Sequence, residues 1–509
     1  MNLSGIVGRQ ARLRPDKTAV VLDDARLSFC EFDRRTNRLA HALAAAGVRR
    51  GDKVATLLPN CVEMLEVYWG CAKLGTVVVP LSPLLRGVAV HALVAQSDAV
   101  AVFAAPETAG ELSSARPSSS GRDEALLVLV GGRTRAGFIA YQELVAGQPD
   151  SPPPDPGLAP DDPYNIIYSS GTTGDPKGIV LSNRVRALYC TLYALYWRMT
   201  PESVALHTGS LVFNGAFMTL MPCFYLGARY VLHRAFDAKA VVRSAHEEGV
   251  THMIMVPTQI VALLDSAAFD PGAFESLEAL ITLGAPLPLE HKRRLASVLP
   301  GRLYELYGLA EGFHTILDRN DVQAKLASVG CPPPFFDLRI VDEDGRDLPA
   351  GEVGEIIGRG PIMMSGYYKR SDLTAQAVRD GWLYSGDLGY VDEDGFLYLV
   401  DRKKDLIKSG GVSVYPRDIE ETAARHRDVL EAAVFGVPDA TWGETPVAAV
   451  VLRENATTDA QALRDWINDR VAAKFQRLSA LTVVECFPRN AAGKTLKREL
   501  RAWYENEAC

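Results

Sequence analysis

A chain of 509 residues is too long for one hydrophobic core, so its length predicts at least two domains. Its composition, 48% hydrophobic and 23% charged residues, is that of a soluble globular protein. The formal net charge of −8 comes without a basic stripe, which excludes nucleic acid as the main partner.

The eight cysteines show no C-x-x-C pair and no neighbouring histidine ligands. Scattered thiols of this kind indicate reduced residues and a cytoplasmic location. No run approaches about 18 uninterrupted apolar residues, and the opening residues, "MNLSGIVGRQARLRPDK", lack a secretory core. We therefore expect neither a membrane span nor a secretory signal.

The first half of the chain alternates helical and strand patterns. Helical spacing covers 29–47, an apolar strand is predicted at 53–59, and a helix at 61–75 precedes a strand at 76–83. The same alternation returns between 229 and 286. Alternating apolar strands and helices predict parallel sheets covered by helices, which is an α/β fold.

Composition also marks the connecting segments. The stretches 106–124 and 147–163 are rich in Pro, Ser, Gly and Asp, and we predict linkers there. After about residue 335 the pattern changes to short strand-like runs with Asp-Gly turns. A last segment mixes helices and strands and carries basic clusters.

The stretch "YSSGTTGDPKG" (168–178) combines glycines, hydroxyl residues and Lys177. Glycine lets backbone N–H groups approach an anion, hydroxyls add donors, and lysine supplies a positive charge, so the stretch indicates phosphate binding. It is not the loop G-x-x-x-x-G-K-[ST], because Pro176 takes the place of the second glycine. A strand-like run precedes it and a helix-like run follows, so we predict a turn at a strand end, and a plain surface turn is the alternative.

Four further stretches carry candidate site residues. "YELYGLAEG" (304–312) offers an aromatic ring at Tyr307 and an oxygen ligand for Mg²⁺ at Glu311. Asp387 is predicted to lie in a glycine-flanked turn. The segment 401–420 places cations beside paired glycines, and Lys494 follows a glycine before a helix-like run. Each feature alone is also typical of packing, a hairpin turn or a solvated face.

Together, in this order, the five stretches resemble the adenylate-forming superfamily of acyl-CoA synthetases, luciferases and peptide-synthetase adenylation domains. The resemblance covers nearly the whole chain. It implies a large N-terminal domain, 1–403, of parallel sheets covered by helices with a small β-barrel-like part. A small, mobile α+β domain, 404–509, is expected to follow it.

The resemblance also implies roles for single residues. The phosphates of ATP would contact the glycine-rich loop through Ser169, Ser170, Gly171, Thr172, Thr173, Gly174 and Lys177. The adenine and ribose would contact Gly284, Ala285, Pro286, Tyr307, Gly308, Asp387 and Arg402. Glu311 matches the Mg²⁺ ligand, and Lys494 matches the catalytic lysine of the small domain, so Lys494, Glu311 and Lys177 are the catalytic candidates.

Two further sets of positions match family residues that act after the acid has been activated as an acyl-AMP. Lys404 matches the hinge between the domains, and the CoA tunnel would be lined by Lys408, Gly410 and Gly411. Ala310 departs from the family pattern, which usually has threonine before the glutamate, and this removes one hydroxyl near the α-phosphate.

The implied activity is that of an ATP-dependent carboxylic acid–CoA ligase acting through an acyl-AMP, with ATP, Mg²⁺ and coenzyme A required and fatty acid metabolism as a context. A stand-alone enzyme loading a carrier-protein phosphopantetheine and a non-catalytic acyl- or nucleotide-binding relative are the alternatives. A homodimer is compatible with the sequence.

For the acid, the segment 207–232 would border the pocket. Asn214 carries no charge where an amino-acid-activating relative needs an aspartate, and no arginine up to Leu226 offers itself to a second carboxylate. The remaining candidates for the acyl pocket are apolar: Phe213, Phe217, Val256 and Phe313. We therefore predict a monocarboxylic acid with an aliphatic or aryl tail.

Overall fold

The computed structural model describes residues 3–112, 125–132, 135–169, 176–409, 412–439, 441–489 and 495–507. The predicted site residues outside these ranges are Ser170, Gly171, Thr172, Thr173, Gly174, Gly410, Gly411 and Lys494.

The strands of the first half of the chain are β1 (Thr18–Leu22), β2 (Ala25–Ser28), β3 (Lys53–Leu57), β4 (Val77–Pro80), β5 (Ala99–Ala104), β6 (Leu126–Leu129), β7 (Ile139–Ala140), β8 (Pro163–Ser169), β9 (Lys177–Ser182), β10 (Val204–His207), β11 (Arg229–Leu232) and β12 (His252–Met255). Those of the second half are β13 (Ala279–Leu283), β14 (Leu303–Leu309), β15 (Phe313–Leu317), β16 (Asp337–Val341), β17 (Gly354–Arg359), β18 (Gly366–Tyr367), β19 (Val378–Arg379), β20 (Trp382–Val391), β21 (Leu397–Arg402), β22 (Ile407–Ser409), β23 (Val412–Val414), β24 (Val429–Asp439), β25 (Gly443–Leu452) and β26 (Ala480–Val483).

The α-helices are α1 (Ile6–Leu13), α2 (Phe29–Ala45), α3 (Val62–Leu74), α4 (Val88–Ser97), α5 (Pro106–Leu112), α6 (Tyr141–Val145), α7 (Asn183–Tyr196), α8 (Phe217–Leu226), α9 (Ala238–Glu247), α10 (Pro257–Asp265), α11 (Leu289–Val298), α12 (Val322–Lys325), α13 (Ser371–Ala377), α14 (Pro416–Ala424), α15 (Ala460–Asn468) and α16 (Lys497–Glu507). Short 3₁₀ turns cover Asn214–Ala216, Pro271–Phe274 and Lys474–Gln476.

Two eight-stranded sheets form the large part of the molecule. The first has the order β15-β14-β13-β12-β10-β11-β1-β2, and the second has the order β18-β9-β8-β4-β3-β5-β6-β7. Both are mixed rather than wholly parallel, because β15, β2, β9 and β18 run antiparallel to their neighbours. These strands follow short connections or lie at an edge, whereas a parallel strand needs a long crossover.

The helix predicted to follow the glycine-rich loop is present as α7, but one strand that the sequence analysis did not predict separates it from the loop. Strand β9 intervenes, and it pairs with β8 so that Ser169 lies opposite Lys177. The sequence "KGIVLS" is a buried strand, and α7 begins only after Ser182, whose hydroxyl caps the helix by accepting from the Val185 N–H. The loop therefore joins the two arms of an antiparallel hairpin. The predicted linker 106–124 likewise begins with helix α5, which buries Ala109 and Leu112.

A third sheet is antiparallel, with the order β16-β17-β20-β19 and with β21 beside β20. The sequence had predicted that Asp387 lies in a turn, but it lies within β20. Gly386, at φ +72°, precedes it, and the ladder shifts register between Leu388 and Gly389, so an irregularity inside a strand produced the turn-like pattern. A fourth sheet, β23-β22-β25-β24 with β26 beside β25, is formed by residues after 406.

One hydrophobic cluster joins the two large sheets. Helices α2, α3 and α8 pack between them, and the Phe224 ring lies 5.0 Å from the Trp69 ring and 5.1 Å from the Phe32 ring. Because side chains from both sheets share this core, the strand ends that carry the candidate site are held at a fixed relative orientation. Among the described helices, none combines the length and the apolar character that a bilayer crossing requires.

Gly330→Ala is expected to destabilise the protein by several kcal/mol. Gly330 has φ +85°, and a Cβ there would lie 1.9 Å from the carbonyl carbon of Ile316, so backbone would have to move. Gly351→Ala is the matched control, because Gly351 has φ +87° and a Cβ there would have no heavy atom within 4 Å. The free energy of unfolding of the control should fall only by the cost of placing alanine in the left-handed conformation, about 1–2 kcal/mol. Urea unfolding measures both, and equal losses would contradict the packing argument.

Candidate active site

Four of the predicted nucleotide residues, Gly284, Ala285, Pro286 and Tyr307, lie at the carboxyl ends of the parallel strands β13 and β14 in the first sheet. Leu283 at the end of β13 pairs with Leu306 in β14, so the exposed segment 284–286 lies beside Tyr307. Gly284 has φ +89°, and a Cβ there would be 3.7 Å from Val256, which follows β12. Ligands bind at this edge in open α/β sheets, and neighbouring strand ends place the residues there.

Asp387 joins the first sheet to the antiparallel sheet. The Tyr307 hydroxyl donates to Asp387 Oδ2 at 2.9 Å, and Arg402 Nε lies 3.3 Å from Asp387 Oδ1. Arg402 stands opposite Asp387 in the β20–β21 ladder, so strand register brings the pair together. Burial, with the nearby Asp387 charge, raises the pKa of Tyr307 well above its usual value, which keeps it a hydroxyl donor. The carboxylate is held in one orientation and keeps lone pairs for further donors.

Glu311 follows β14 in a tight turn. Its backbone carbonyl accepts from the Met364 N–H at 2.7 Å, and its Oε1 accepts from the Tyr367 hydroxyl at 2.8 Å. The turn needs Gly312, at φ +124°, because a Cβ there would lie 2.3 Å from Met363 Cα. Burial raises the pKa of the Glu311 carboxyl, while Tyr367 and the charges of Lys177 and Arg402 act to lower it.

Tyr367 also contacts Lys177, the described cation of the glycine-rich hairpin. The ammonium of Lys177 lies 5.2 Å from the centre of the Tyr367 ring, and β18, which carries the ring, pairs with β9, which begins at Lys177. One tyrosine thus links the predicted phosphate cation to the predicted metal ligand. Tyr367 was not among the residues predicted from the sequence, and no charge or glycine pattern in "MMSGYYKR" indicates its role.

The connection between the third and fourth sheets contains Lys404. It is exposed in the turn between β21 and β22, and Lys403 beside it pairs with Glu355 at 2.9 Å. Asp401, another residue that no sequence motif indicated, accepts from the backbone N–H of Arg402 at 2.7 Å and of Arg417 at 3.0 Å. Burial raises the pKa of Asp401, and nearby Lys497 opposes the shift. These contacts tie the start of α14 to the strand that carries Arg402.

Lys408 lies on the exposed hairpin β22–β23. Its ammonium donates to Ser413 Oγ at 2.9 Å and its backbone N–H donates to Glu444 at 2.9 Å. Its predicted glycine neighbours, Gly410 and Gly411, belong to the undescribed residues, so the structure places Lys408 alone of this set.

The predicted acyl-pocket residues are not equally placed. Phe213 and Asn214 are half-buried beside the 3₁₀ turn after β10, and Val256 is half-buried beside Gly284. Phe217 is fully buried in the large core, with the Arg186 guanidinium 4.0 Å from its ring centre. Phe313 is fully buried in a cluster with Ile340 and Ile356 between the first and third sheets. The structure thus gathers three of the five at the strand ends.

Glu311 is the candidate metal ligand among the described residues of the site. Across the described ranges, no group of three or more acidic, His or Cys side chains is arranged to hold an ion. The Glu311 carboxylate offers its second oxygen, since Tyr367 donates only to Oε1. This arrangement fits Mg²⁺, which keeps several waters and takes its remaining oxygens from substrate phosphates.

Glu311→Gln is expected to raise the free energy of unfolding at neutral pH. Burial raises the pKa of Glu311, so the folded protein binds its proton more tightly than the unfolded chain. The stabilisation from this group is complete below the ordinary carboxyl pKa and is lost as the pH rises through the raised value. Urea titrations between about pH 5 and pH 8 should therefore show a variant-minus-wild-type difference that grows with pH. A constant or shrinking difference would contradict this.

Comparison with known proteins places these features in a family. The AMP-binding enzyme family matches residues 7–368, and the AMP-binding enzyme C-terminal domain matches residues 418–494. The chain is 35% identical to a feruloyl-CoA synthase from Amycolatopsis sp. over 97% of each chain, and 33% identical to an indoleacetate–CoA ligase from Aromatoleum aromaticum over 98% of each. It is 31% identical to the fatty acid–[acyl-carrier-protein] ligase ScoC of Streptomyces coeruleorubidus, over 96% of this chain and 94% of that one.

Solved structures show the same fold. The ATP-bound MatB protein from Rhodopseudomonas palustris matches with a TM-score of 0.90 at 28% identity over 99% of each chain. The apo form of that protein matches less well, with a TM-score of 0.78 at 28% identity over 99% of each chain. The anthranilate CoA ligase AuaEII in complex with anthranoyl-AMP matches with a TM-score of 0.91 at 25% identity, over 100% of this chain and 98% of that one. The chain therefore belongs to the AMP-binding enzyme family, the adenylate-forming superfamily that its five sequence stretches resemble.

Proposed function

We propose that the protein is an ATP-dependent carboxylic acid–CoA ligase that forms an acyl-AMP with release of pyrophosphate and then transfers the acyl group to CoA with release of AMP. The observation that carries this proposal is that Tyr307 and Arg402 both contact Asp387, close to Glu311, which feels the charges of Lys177 and Arg402. Relatives named as CoA ligases match over almost their whole length, which supports the acceptor.

The first half-reaction brings two anions together, and the proposed residues reduce their repulsion. Asp387 would accept the ribose hydroxyls, since Tyr307 and Arg402 hold it in one orientation. Lys177 would bind the departing phosphates together with the hydroxyls of the glycine-rich loop. The substrate carboxylate could then attack the α-phosphorus, where Lys494 would neutralise the charge that develops. Ala310 leaves this site one hydroxyl short of the family pattern.

Glu311 is the proposed ligand for Mg²⁺. A bound Mg²⁺ would supply Lewis-acid stabilisation of the phosphate oxygens. The chain's own contribution is to hold the carboxylate at the end of β14 through Tyr367 and the turn at Gly312.

The second half-reaction needs the smaller domain to change position, and we propose Lys404 as its hinge and 1–403 and 404–509 as the two domains. Strand β21, ending at Arg402, belongs to the third sheet, and β22, beginning at Ile407, belongs to the fourth. Away from the hinge, Arg453 contacts Asp265 at 3.0 Å, with exposed fractions of 38% and 32%. An exposed pair of this kind is worth at most about 1 kcal/mol, so it can break between half-reactions.

Contacts at the start of α16 support a role for Lys494 in the described arrangement. Lys497 pairs with Glu420 at 2.6 Å, and its charge acts on Asp401, which precedes Arg402. The start of α16 therefore lies near the strand that carries Arg402. The better match to ATP-bound than to apo MatB supports the same arrangement.

The acid is proposed to be a monocarboxylic acid with an aryl or aliphatic tail. The half-buried Asn214 and Phe213 offer no charge to an ammonium group. Named relatives act on ferulate and indoleacetate, both flat aryl acids. A cytoplasmic location and a homodimer stay predictions.

A carrier-protein phosphopantetheine is the second candidate for the acceptor. ScoC, named as a fatty acid–[acyl-carrier-protein] ligase, is 31% identical over almost the whole chain, so the fold serves either acceptor. Pyrophosphate release should be measured with a panel of carboxylic acids, and thioester formation with free CoA and with a phosphopantetheinylated carrier. Failure of every acid to release pyrophosphate would leave the non-catalytic alternative.

Lys494→Ala should lower the rate of acyl-AMP formation by about 10²–10³, the usual cost of losing one preorganised charge-stabilising group. It should spare thioester formation from a supplied acyl-AMP, because the lysine serves only the first half-reaction. Single-turnover assays of each half-reaction measure both effects. Lys474→Ala, at an exposed position of the same domain, is the control. Equal losses in both half-reactions would refute the alternating role.

Lys404→Pro should leave pyrophosphate exchange largely intact and slow thioester output. Proline fixes φ near −65° and so restricts the backbone change that a hinge must absorb. Lys404→Ala is the control, since it removes the same side chain and leaves the backbone free. Unchanged thioester output in the proline variant, or equal slowing in both variants, would remove the hinge assignment.

A further inference from the structure

Helix α14 receives its N-terminal cap from a residue outside its own sequence segment. Tyr415 precedes the helix, and its side chain makes no capping hydrogen bond to the described residues of the first turn. Pro416 has no backbone N–H, so the N–H of Arg417 is the first donor of the helix that needs a partner. Asp401 provides that partner, because its Oδ2 atom accepts from the Arg417 N–H at 3.0 Å. Aspartate is a preferred N-cap residue, and here it lies 16 positions earlier in the chain.

The two partners of this cap belong to different sheets. Asp401 lies in β21, where it stands opposite Leu388 in β20 of the third sheet. Helix α14 packs on the fourth sheet, since Ile419 is buried in its core and Glu420 accepts from the Val434 N–H of β24 at 2.7 Å. The cap therefore connects the third sheet to the fourth.

The side chain of Arg417 makes a second contact across the same boundary. Its Nη1 atom donates to the carbonyl oxygen of Leu399 in β21 at 3.0 Å. Its Nε atom donates to Glu421, one turn further along α14, at 3.1 Å, which orients the guanidinium group. The backbone and the side chain of one residue thus both donate to the strand that ends at Arg402.

We expect the cap to be stronger than the exposed ion pair between Arg453 and Asp265. The Asp401 carboxylate is half-buried, and its Oδ1 atom accepts from the Arg402 N–H at 2.7 Å while Oδ2 accepts from Arg417. A hydrogen bond to a charged acceptor is stronger than one between neutral groups, and an enclosed acceptor loses more when its donor leaves. Solvent weakens the exposed pair. Loss of the cap should therefore change the position of the smaller domain more than loss of that pair.

A rotation of the smaller domain about Lys404 would separate the partners of the cap. The chain between Arg402 and Ile407 connects the two sheets, so rotation there leaves Asp401 in the third sheet and moves α14 with the fourth. The first turn of α14 would then lose its cap, and Asp401 would lose a donor. The cap therefore stabilises the described position of the domain relative to a rotated one.

We propose that Asp401 is a positioning residue that caps α14 across the hinge and thereby favours the arrangement in which the acyl-AMP forms. This inference rests on the proposed function, because it requires two positions of the smaller domain, one for each half-reaction. Asp401 acts through the position of α14 and not through contact with the substrate.

The size of the effect can be read from the ratio of the two half-reactions. When the two positions exchange rapidly, each half-reaction has a rate proportional to the fraction of molecules in its position, so the ratio of the rates follows the equilibrium constant between the positions. Loss of an N-cap typically changes such an equilibrium constant about fivefold. Asp401→Ala should therefore lower the ratio of acyl-AMP formation to thioester formation about fivefold.

Single-turnover rates of acyl-AMP formation, and of thioester formation from supplied acyl-AMP, give this ratio for each variant. Asp401→Asn should restore most of it, because asparagine caps helices about as well as aspartate. Arg417→Ala should lower the ratio as well, since it removes the contact with Leu399. This second variant lies beyond the hinge and does not adjoin Arg402, so it separates the position of the domain from a local disturbance of the nucleotide site.

Asp459→Ala is the matched control. Asp459 caps α15 by accepting from the Ala462 N–H at 2.7 Å, and both residues lie on the same side of the hinge. The control should lower the thermal stability and leave the ratio unchanged. An unchanged ratio in Asp401→Ala, an equal loss in both half-reactions, or the same change in the control would overturn the inference while acyl-AMP formation by the wild type upholds the ligase. Absence of acyl-AMP formation with any acid would remove both proposals.

Discussion

The candidate site depends on one buried carboxylate that two sheets share. Asp387 belongs to the antiparallel sheet and Tyr307 to the mixed first sheet. The hydrogen bond between them, 2.9 Å long, therefore connects the two sheets. Arg402, on the neighbouring strand β21, pairs with the negative charge of Asp387. A buried carboxylate without such partners would destabilise the fold, so the hydrogen bond from Tyr307 and the charge of Arg402 both stabilise Asp387 in its buried position. Arg402 is the last residue of β21, so these contacts hold the point at which the chain leaves the third sheet for the fourth.

A second set of contacts joins the residues that are proposed to bind the phosphates and the metal. Tyr367 donates to Glu311 and presents its ring to Lys177, so a neutral side chain sets the distance between an acid and a base. A direct ion pair between Glu311 and Lys177 would occupy both groups. The intervening tyrosine leaves the ammonium and one carboxylate oxygen available, which is what a site for a metal–triphosphate needs.

The aromatic side chains of α7 and β15 next to the nucleotide residues carry no charge: the rings of Tyr189, Tyr193 and His314 pack against one another, and burial lowers the pKa of His314 to about 3. The nucleotide side of the site is charged, whereas these packed rings are neutral. This contrast separates the residues proposed to stabilise developing charge from the neutral aromatic residues beside them. Phe313, one of the predicted acyl-pocket residues, is instead fully buried in its own core cluster.

The sequence alone determined the α/β class and the positions of elements with long periodic patterns, such as α2 and α3, because periodicity is a local property of the sequence. It also determined the family, because short motifs carry that information. It predicted Tyr307, Glu311, Asp387 and Arg402 as site residues, and in the structure Tyr307 and Arg402 both contact Asp387. Only the tertiary structure decided that β9 forms a hairpin with β8, that Asp387 lies within a strand, and that Tyr367 and His314 border the site. These features depend on strand register and on contacts between residues far apart in the chain, and neither has a local pattern.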